Sequence, residues 1–190
     1  MPERGTRPPE GENITQEIEK PPVLYHASSR NSIERFEPQV KKVRDPKEGP
    51  RVFATSDFAL ATVFILETDD SWTQSGVFSD TPYIVIAGRE RFEALDRGGT
   101  IYTLPSDTFE TDPTKGLGEK EWTSKDPVIP IEKKIYPAAL EAMLENGVQV
   151  YFVDQKTLRN IQEADDHGLS ILQGIQSENQ RKGINVKEIK

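Results

Sequence analysis

Apolar and polar positions follow strand-like and helix-like periods in turn between residue 23 and about residue 175. Val23-Leu24-Tyr25-His26-Ala27, directly after Pro21-Pro22, reads as a first strand. Ile33 and Phe36, three apart, predict a short helical turn over 32–36, and residues 38–50, rich in Lys, Arg and Asp with Asp45-Pro46 and Gly49-Pro50, read as a surface loop. Residues 51–55 form a second strand, after which Thr55 or Ser56 caps a core helix running to about Glu67, with Ala59, Leu60, Val63, Phe64 and Leu66 on its apolar face. The β-branched run 83–87 and the alternation of 100–104, entered through Gly98-Gly99, are strands. A glycine-bearing loop over 111–118 then delivers Glu119-Lys120-Glu121-Trp122. Residues 122–131 and 134–136 are extended, the first confined by Pro127 and Pro130 to an edge or a bulge. A helix over 137–146, marked by Pro137 and by Asn146-Gly147, a strand over 148–153 and a helix from Gln155 to about Asp166, stopping near His167-Gly168, complete the pattern.

This order lacks the regular strand–helix alternation of a doubly wound parallel sheet and predicts an α+β domain built on antiparallel strands. Residues 1–22 hold five prolines and few apolar residues, so they read as a flexible leader before a domain over 23–175. Residues 176–190 read as a polar C-terminal tail.

Composition narrows the chemistry. Hydrophobic residues are 34% of the 190, and 13 glycines added to them still leave the chain short of the roughly 45–50% usual for a globular protein, which fits polar ends outside the core. There is no cysteine, which removes disulfides, thiolate nucleophiles and Cys-ligated metals. The two histidines, His26 and His167, are too few for a three-histidine metal site, and no metal ligand set is predicted. A net charge of −8 argues against a surface built to neutralise many phosphates. No apolar stretch is long enough to span a membrane and the first residues do not follow the order of a signal peptide, so a cytoplasmic protein without membrane partners is expected.

The common cofactor loops are absent. Gly116-Leu117-Gly118 has no third glycine and opens no helix, and neither a Gly-x-x-x-x-Gly-Lys-Ser/Thr loop nor Gly-x-Ser-x-Gly occurs. Three segments remain: Leu24-Tyr25-His26-Ala27-Ser28, residues 49–55 with the following helix, and Glu119-Lys120-Glu121. In these the chain resembles the ADP-ribosyltransferase superfamily, in particular the His–Tyr–Glu branch that includes the poly(ADP-ribose) polymerases and diphtheria toxin. The resemblance covers roughly residues 23–66 and 119–153.

It implies an α+β fold of split antiparallel sheets with flanking helices, and NAD as the substrate. His26 would hold the adenosine ribose, the Ala27 backbone the nicotinamide carboxamide, and Ser28 would sit near the nicotinamide ribose. Glu121 would be the catalytic carboxylate and Glu119 the group that orients an acceptor, protein or nucleic acid. The family's glycine after histidine is Ala27 here. Its first stacking tyrosine falls on Val52, beside Phe53, and its second near Val63 or Phe64, so Phe53 or Tyr102 would have to stand in. The function expected is a mono-ADP-ribosyltransferase or NAD glycohydrolase. The alternatives are a catalytically silent nucleotide- or protein-binding module of the same fold and, ranked lower, an RNA 2′-phosphotransferase-like enzyme relying on Arg30 and Arg51.

Overall fold

A computed structural model of the chain describes residues 18–40, 48–181 and 188–189. Most of the predicted leader and residues 41–47 of the predicted surface loop therefore lie outside the described residues. The elements are β1 (Val23–Ser28), β2 (Val52–Thr55), α1 (Phe58–Thr62), β3 (Thr73–Phe78), β4 (Thr81–Ala87), α2 (Arg89–Leu95), β5 (Gly99–Pro105) and β6 (Phe109–Thr111). After a 3₁₀ turn at Gly118–Lys120 come β7 (Glu121–Ser124), β8 (Glu132–Tyr136), α3 (Ala139–Glu145), β9 (Gln149–Val153), α4 (Gln155–Glu163), α5 (Leu169–Arg181) and β10 (Glu188–Ile189). The fold is α+β.

Two sheets form. The first, in the order β6-β7-β2-β1-β5-β8, is antiparallel throughout. The second, β10-β9-β4-β3, is mixed: only β3 and β4 run antiparallel, while β4–β9 and β9–β10 are parallel. The expectation of antiparallel sheets is corrected there, because alternation along one strand carries no information on its partner's direction.

Period-two alternation gives the inner strands of the first sheet a core on each face, while the edge strand β8 is exposed from Glu132 to Ile135. Tyr25, Ala27 and Ile101 face the larger core, shared with Ile84–Ile86 of β4, Tyr151 and Phe152 of β9 and the helices. Leu24, Val52, Ala54, Tyr102, Leu104 and Trp122 face a smaller core closed by Phe36 and Val128, with Ile18 and Ile33 against it.

Local readings fail where tertiary partners override them. Residues 32–36 are not helical, because Phe36 exchanges two backbone hydrogen bonds with Val128 (2.8 and 3.0 Å) and is drawn out as an extended plug of the smaller core. Helix α1 ends at Thr62 rather than near Glu67. The Thr62 hydroxyl donates back to the Ala59 carbonyl (2.6 Å), and Phe64 beyond it is 44% exposed. Its cap is Asp57, whose Oδ1 accepts from the Leu60 amide (3.1 Å). Thr55 is still in β2, and its hydroxyl accepts from the Asp57 amide instead (3.1 Å). Helix α5 crosses residue 175 and continues to Arg181.

Capping carboxylates also contribute to the acid sensitivity of the fold. Asp154 Oδ1 accepts from the Thr157 amide (2.7 Å) at the start of α4, and this backbone hydrogen bond, reinforced by the Thr157 side chain, holds the carboxyl below its ordinary 3.8. Asp166 is lowered by its bonds to the Ser170 side chain and amide. A native pKa below the unfolded value gives stability that is present above 3.8 and is lost as the pH falls through the lower native value. The urea midpoint should therefore fall in acid below the ordinary carboxylate range. Asp154→Asn, which caps without titrating, should flatten that fall.

Candidate active site

The site forms where β1, β2 and β7 meet α1. Strands β1 and β2 are matched at one pair, Tyr25 with Thr55, and Thr55 in turn lies opposite Glu121 on β7. Tyr25, Thr55 and Glu121 thus form one row across three strands, which puts the chain at Glu121 two strand spacings, about 10 Å, from β1. Beside that row the ladder opens. His26 Nδ1–H donates to the Phe53 carbonyl (2.6 Å), because a carbonyl can only accept. The imidazole also lies 4.5 Å from the Phe36 ring, so the smaller core fixes its orientation.

Between these strands and α1 lies a cleft of about 330 Å³, at the lower end of the range for small-molecule sites. His26, Ala27, Phe53 and Glu121 line it together. Tyr25 and Phe64 add aromatic surface, and Leu117, from the loop before the 3₁₀ turn, stands at its mouth. Glu121 also borders a second, polar cavity of about 470 Å³ whose lining includes Arg51, Glu110, Thr123 and Lys125. One carboxylate-bearing residue is therefore a wall common to an apolar cleft and a charged one.

Its position is braced. Asp57 uses one carboxylate oxygen to cap α1 and the other to hold Lys120 Nζ (2.8 Å), the residue before Glu121. The Ser56 amide donates to the Lys120 carbonyl (3.4 Å), and the Thr111 hydroxyl donates to the Glu121 carbonyl (2.8 Å). In the loop ahead, Lys115 pairs with Glu48, and the Thr114 side chain and amide hold the Asp112 carboxyl below its ordinary value.

Three anticipated site residues do not join this group. Tyr102 is fully buried in the smaller core, where its hydroxyl donates to the Arg30 carbonyl (2.8 Å) and accepts from the Ile33 amide (3.0 Å); it is a structural tyrosine, corrected from a stand-in for the stacking ring. Ser28 ends β1, where its hydroxyl accepts from the Arg30 amide (3.2 Å), outside the cleft lining. Glu119 is exposed on the 3₁₀ turn and lines neither cavity. Val52 faces the smaller core, so Phe53 alone of that pair reaches the cleft. The contributions of Tyr25, Thr55 and Leu117 had no signal of their own in the sequence, since each depends on strand register or loop path. His167 closes the turn after α4 with φ 56°, and its carbonyl accepts from Gln74 Nε2.

Among the described residues no group of three or more His, Asp or Glu side chains is placed to hold a metal ion, and no helix is long and apolar enough to cross a membrane. Comparison with protein-family models, curated proteins and solved structures finds no match to the chain.

Proposed function

We propose that the protein cleaves the nicotinamide N-glycosidic bond of NAD, transferring ADP-ribose to an acceptor or to water. The observation that carries this reading is the convergence of His26, Ala27, Phe53 and Glu121 on one cleft, from strands separated by long stretches of sequence. Nicotinamide, flat and mostly apolar, suits the end lined by Phe53, Tyr25 and Phe64. The imidazole binds a ribose hydroxyl and the Ala27 backbone the carboxamide.

In the reaction the C–N glycosidic bond breaks and its electron pair leaves with nicotinamide, which becomes neutral. Positive charge develops on the ribose as an oxocarbenium ion. The Glu121 carboxylate, hydrogen-bonded to the nicotinamide-ribose hydroxyl, opposes that charge. A nucleophile, water or the acceptor, then bonds to the ribose carbon and gives up its proton to solvent. The shared wall at Glu121 favours approach from the polar cavity, where water or a polar acceptor can reach the carbon after nicotinamide has gone.

The second reading is a silent module of the same fold. Val52 and Tyr102, both turned into the smaller core, favour it by removing two of the rings that would stack on NAD. A phosphotransferase reading is weaker, since of its two arginines Arg51 lines the polar cavity and Arg30 does not. Titration with NAD, followed by an assay of free nicotinamide, separates the readings. Saturable binding with release supports the enzyme. Binding without release supports the silent module, and no binding at millimolar NAD removes NAD as the ligand.

A further inference from the structure

We propose that the groove between α2 and α3, which shares no lining residue with the cleft, docks a basic amphipathic helix of a partner protein. Ala138, Leu140 and Leu144 form its floor, with the two leucines one turn apart on α3. It is a shallow depression, open to solvent along its length, so an occupant would lie on it and not enter it. Leu95, at the end of α2, is 47% exposed nearby in sequence to the rim residue Asp96.

The charged residues that line it are all carboxylates, Glu93 and Asp96 from the end of α2 and Glu141 and Glu145 from α3, with Lys134 of β8 close enough to Glu145 to interact with it electrostatically. Asp96 is committed inward. Its oxygens accept from the amides of Gly98 (2.9 Å), Ala139 (2.7 Å) and Leu140 (3.1 Å), tying the end of α2 to the first turn of α3 and setting the groove's shape. Glu93 pairs with Arg89 (3.0 Å), which also lies over the Phe152 ring. Glu141 and Glu145, both exposed and one helical turn apart, supply the outward-facing charge.

An apolar floor between acidic edges complements a helix with an apolar stripe at i, i+3 and i+4 and Lys or Arg on its flanks. Charge also selects against other occupants. A second copy of this chain, placed by a two-fold axis, would bring the same carboxylates together, and an anionic membrane surface would repel them.

The test uses the full chain and two labelled peptides made only of leucine and lysine, one with its leucines on a single helical face and an isomer with them scattered. Saturable binding of the first is expected, with the isomer about tenfold weaker, the scale of losing one interface anchor. Leu140→Asp, and Glu141→Lys combined with Glu145→Lys, should each weaken the first peptide similarly, and Glu163→Lys on α4 should not. Equal binding of both peptides, or affinities unchanged by the groove substitutions, would show general attraction to an acidic chain and overturn the proposal. Self-association that Leu140→Asp abolishes would overturn it in favour of a second copy. If Leu140→Asp fails to fold, the two exposed glutamate substitutions decide. Nicotinamide release should be unchanged in them, so this result stands apart from that of the NAD assay.

Discussion

Glu121→Gln is expected to lower nicotinamide release from NAD by about 10²–10³-fold while the protein stays folded and keeps its affinity for NAD. Glutamine has nearly the same shape and can still hydrogen-bond a ribose hydroxyl, so ground-state binding is little changed. It lacks the negative charge that opposes the oxocarbenium ion, and the loss therefore falls on the chemical step. The main chain at this position is held by the pairing with Thr55 and by the carbonyl that accepts from Thr111, and neither contact changes in the variant. Rates measured at saturating NAD, with circular dichroism on both proteins, check the result. Equal release by the variant would remove Glu121 from the mechanism, and the silent-module reading would then apply.

The largest effect on stability is expected at Gly98. Its φ is +67°, and a Cβ there would stand 2.1 Å from the Tyr136 carbonyl oxygen and 2.5 Å from the Pro137 carbonyl carbon. These are backbone atoms at the junction of β8 and α3 and cannot rotate away. Gly98→Ala therefore combines a left-handed backbone conformation with a steric clash, together about 4 kcal/mol, a large part of the net stability of an ordinary domain. The variant should show a much lower urea midpoint. Gly147→Ala is the comparison: φ there is +81°, but nothing lies within 4 Å of the added carbon, so only the conformational part of the penalty remains.

Legibility in the sequence followed the range of the interactions. Strands β1, β4, β5 and β9 could be read because alternation or a β-branched run marked them locally. So could α3, whose ends are signalled by Pro137 and Gly147. Strand β3, with Gly76 and Ser75 in it, and helix α2, with six charged or exposed residues around Phe92, have little apolar signal, and their order comes from docking on β4 and β9. Within the site, His26 and Glu121 stood out by their neighbours along the chain. The path that brings them to one cleft depends on register and on the parting of β1 from β2: Tyr102 lies opposite His26 across β1 and β5 and both rings pack against Phe36, but only His26, at the open side of β1, also reaches the cleft.

The order of strands in the first sheet has a kinetic consequence. Strand β1 pairs with β5, and β2 with β7, so neither pairing can form until a long loop has closed and its entropy has been lost. Refolding should therefore belong to the slow, non-local regime of β-rich topologies. The cleft exists only after β7 has zipped onto β2. A nascent or truncated chain that stops short of Glu121 has half of the site and no wall on which to build the rest, so ligand binding reports completion of the sheet.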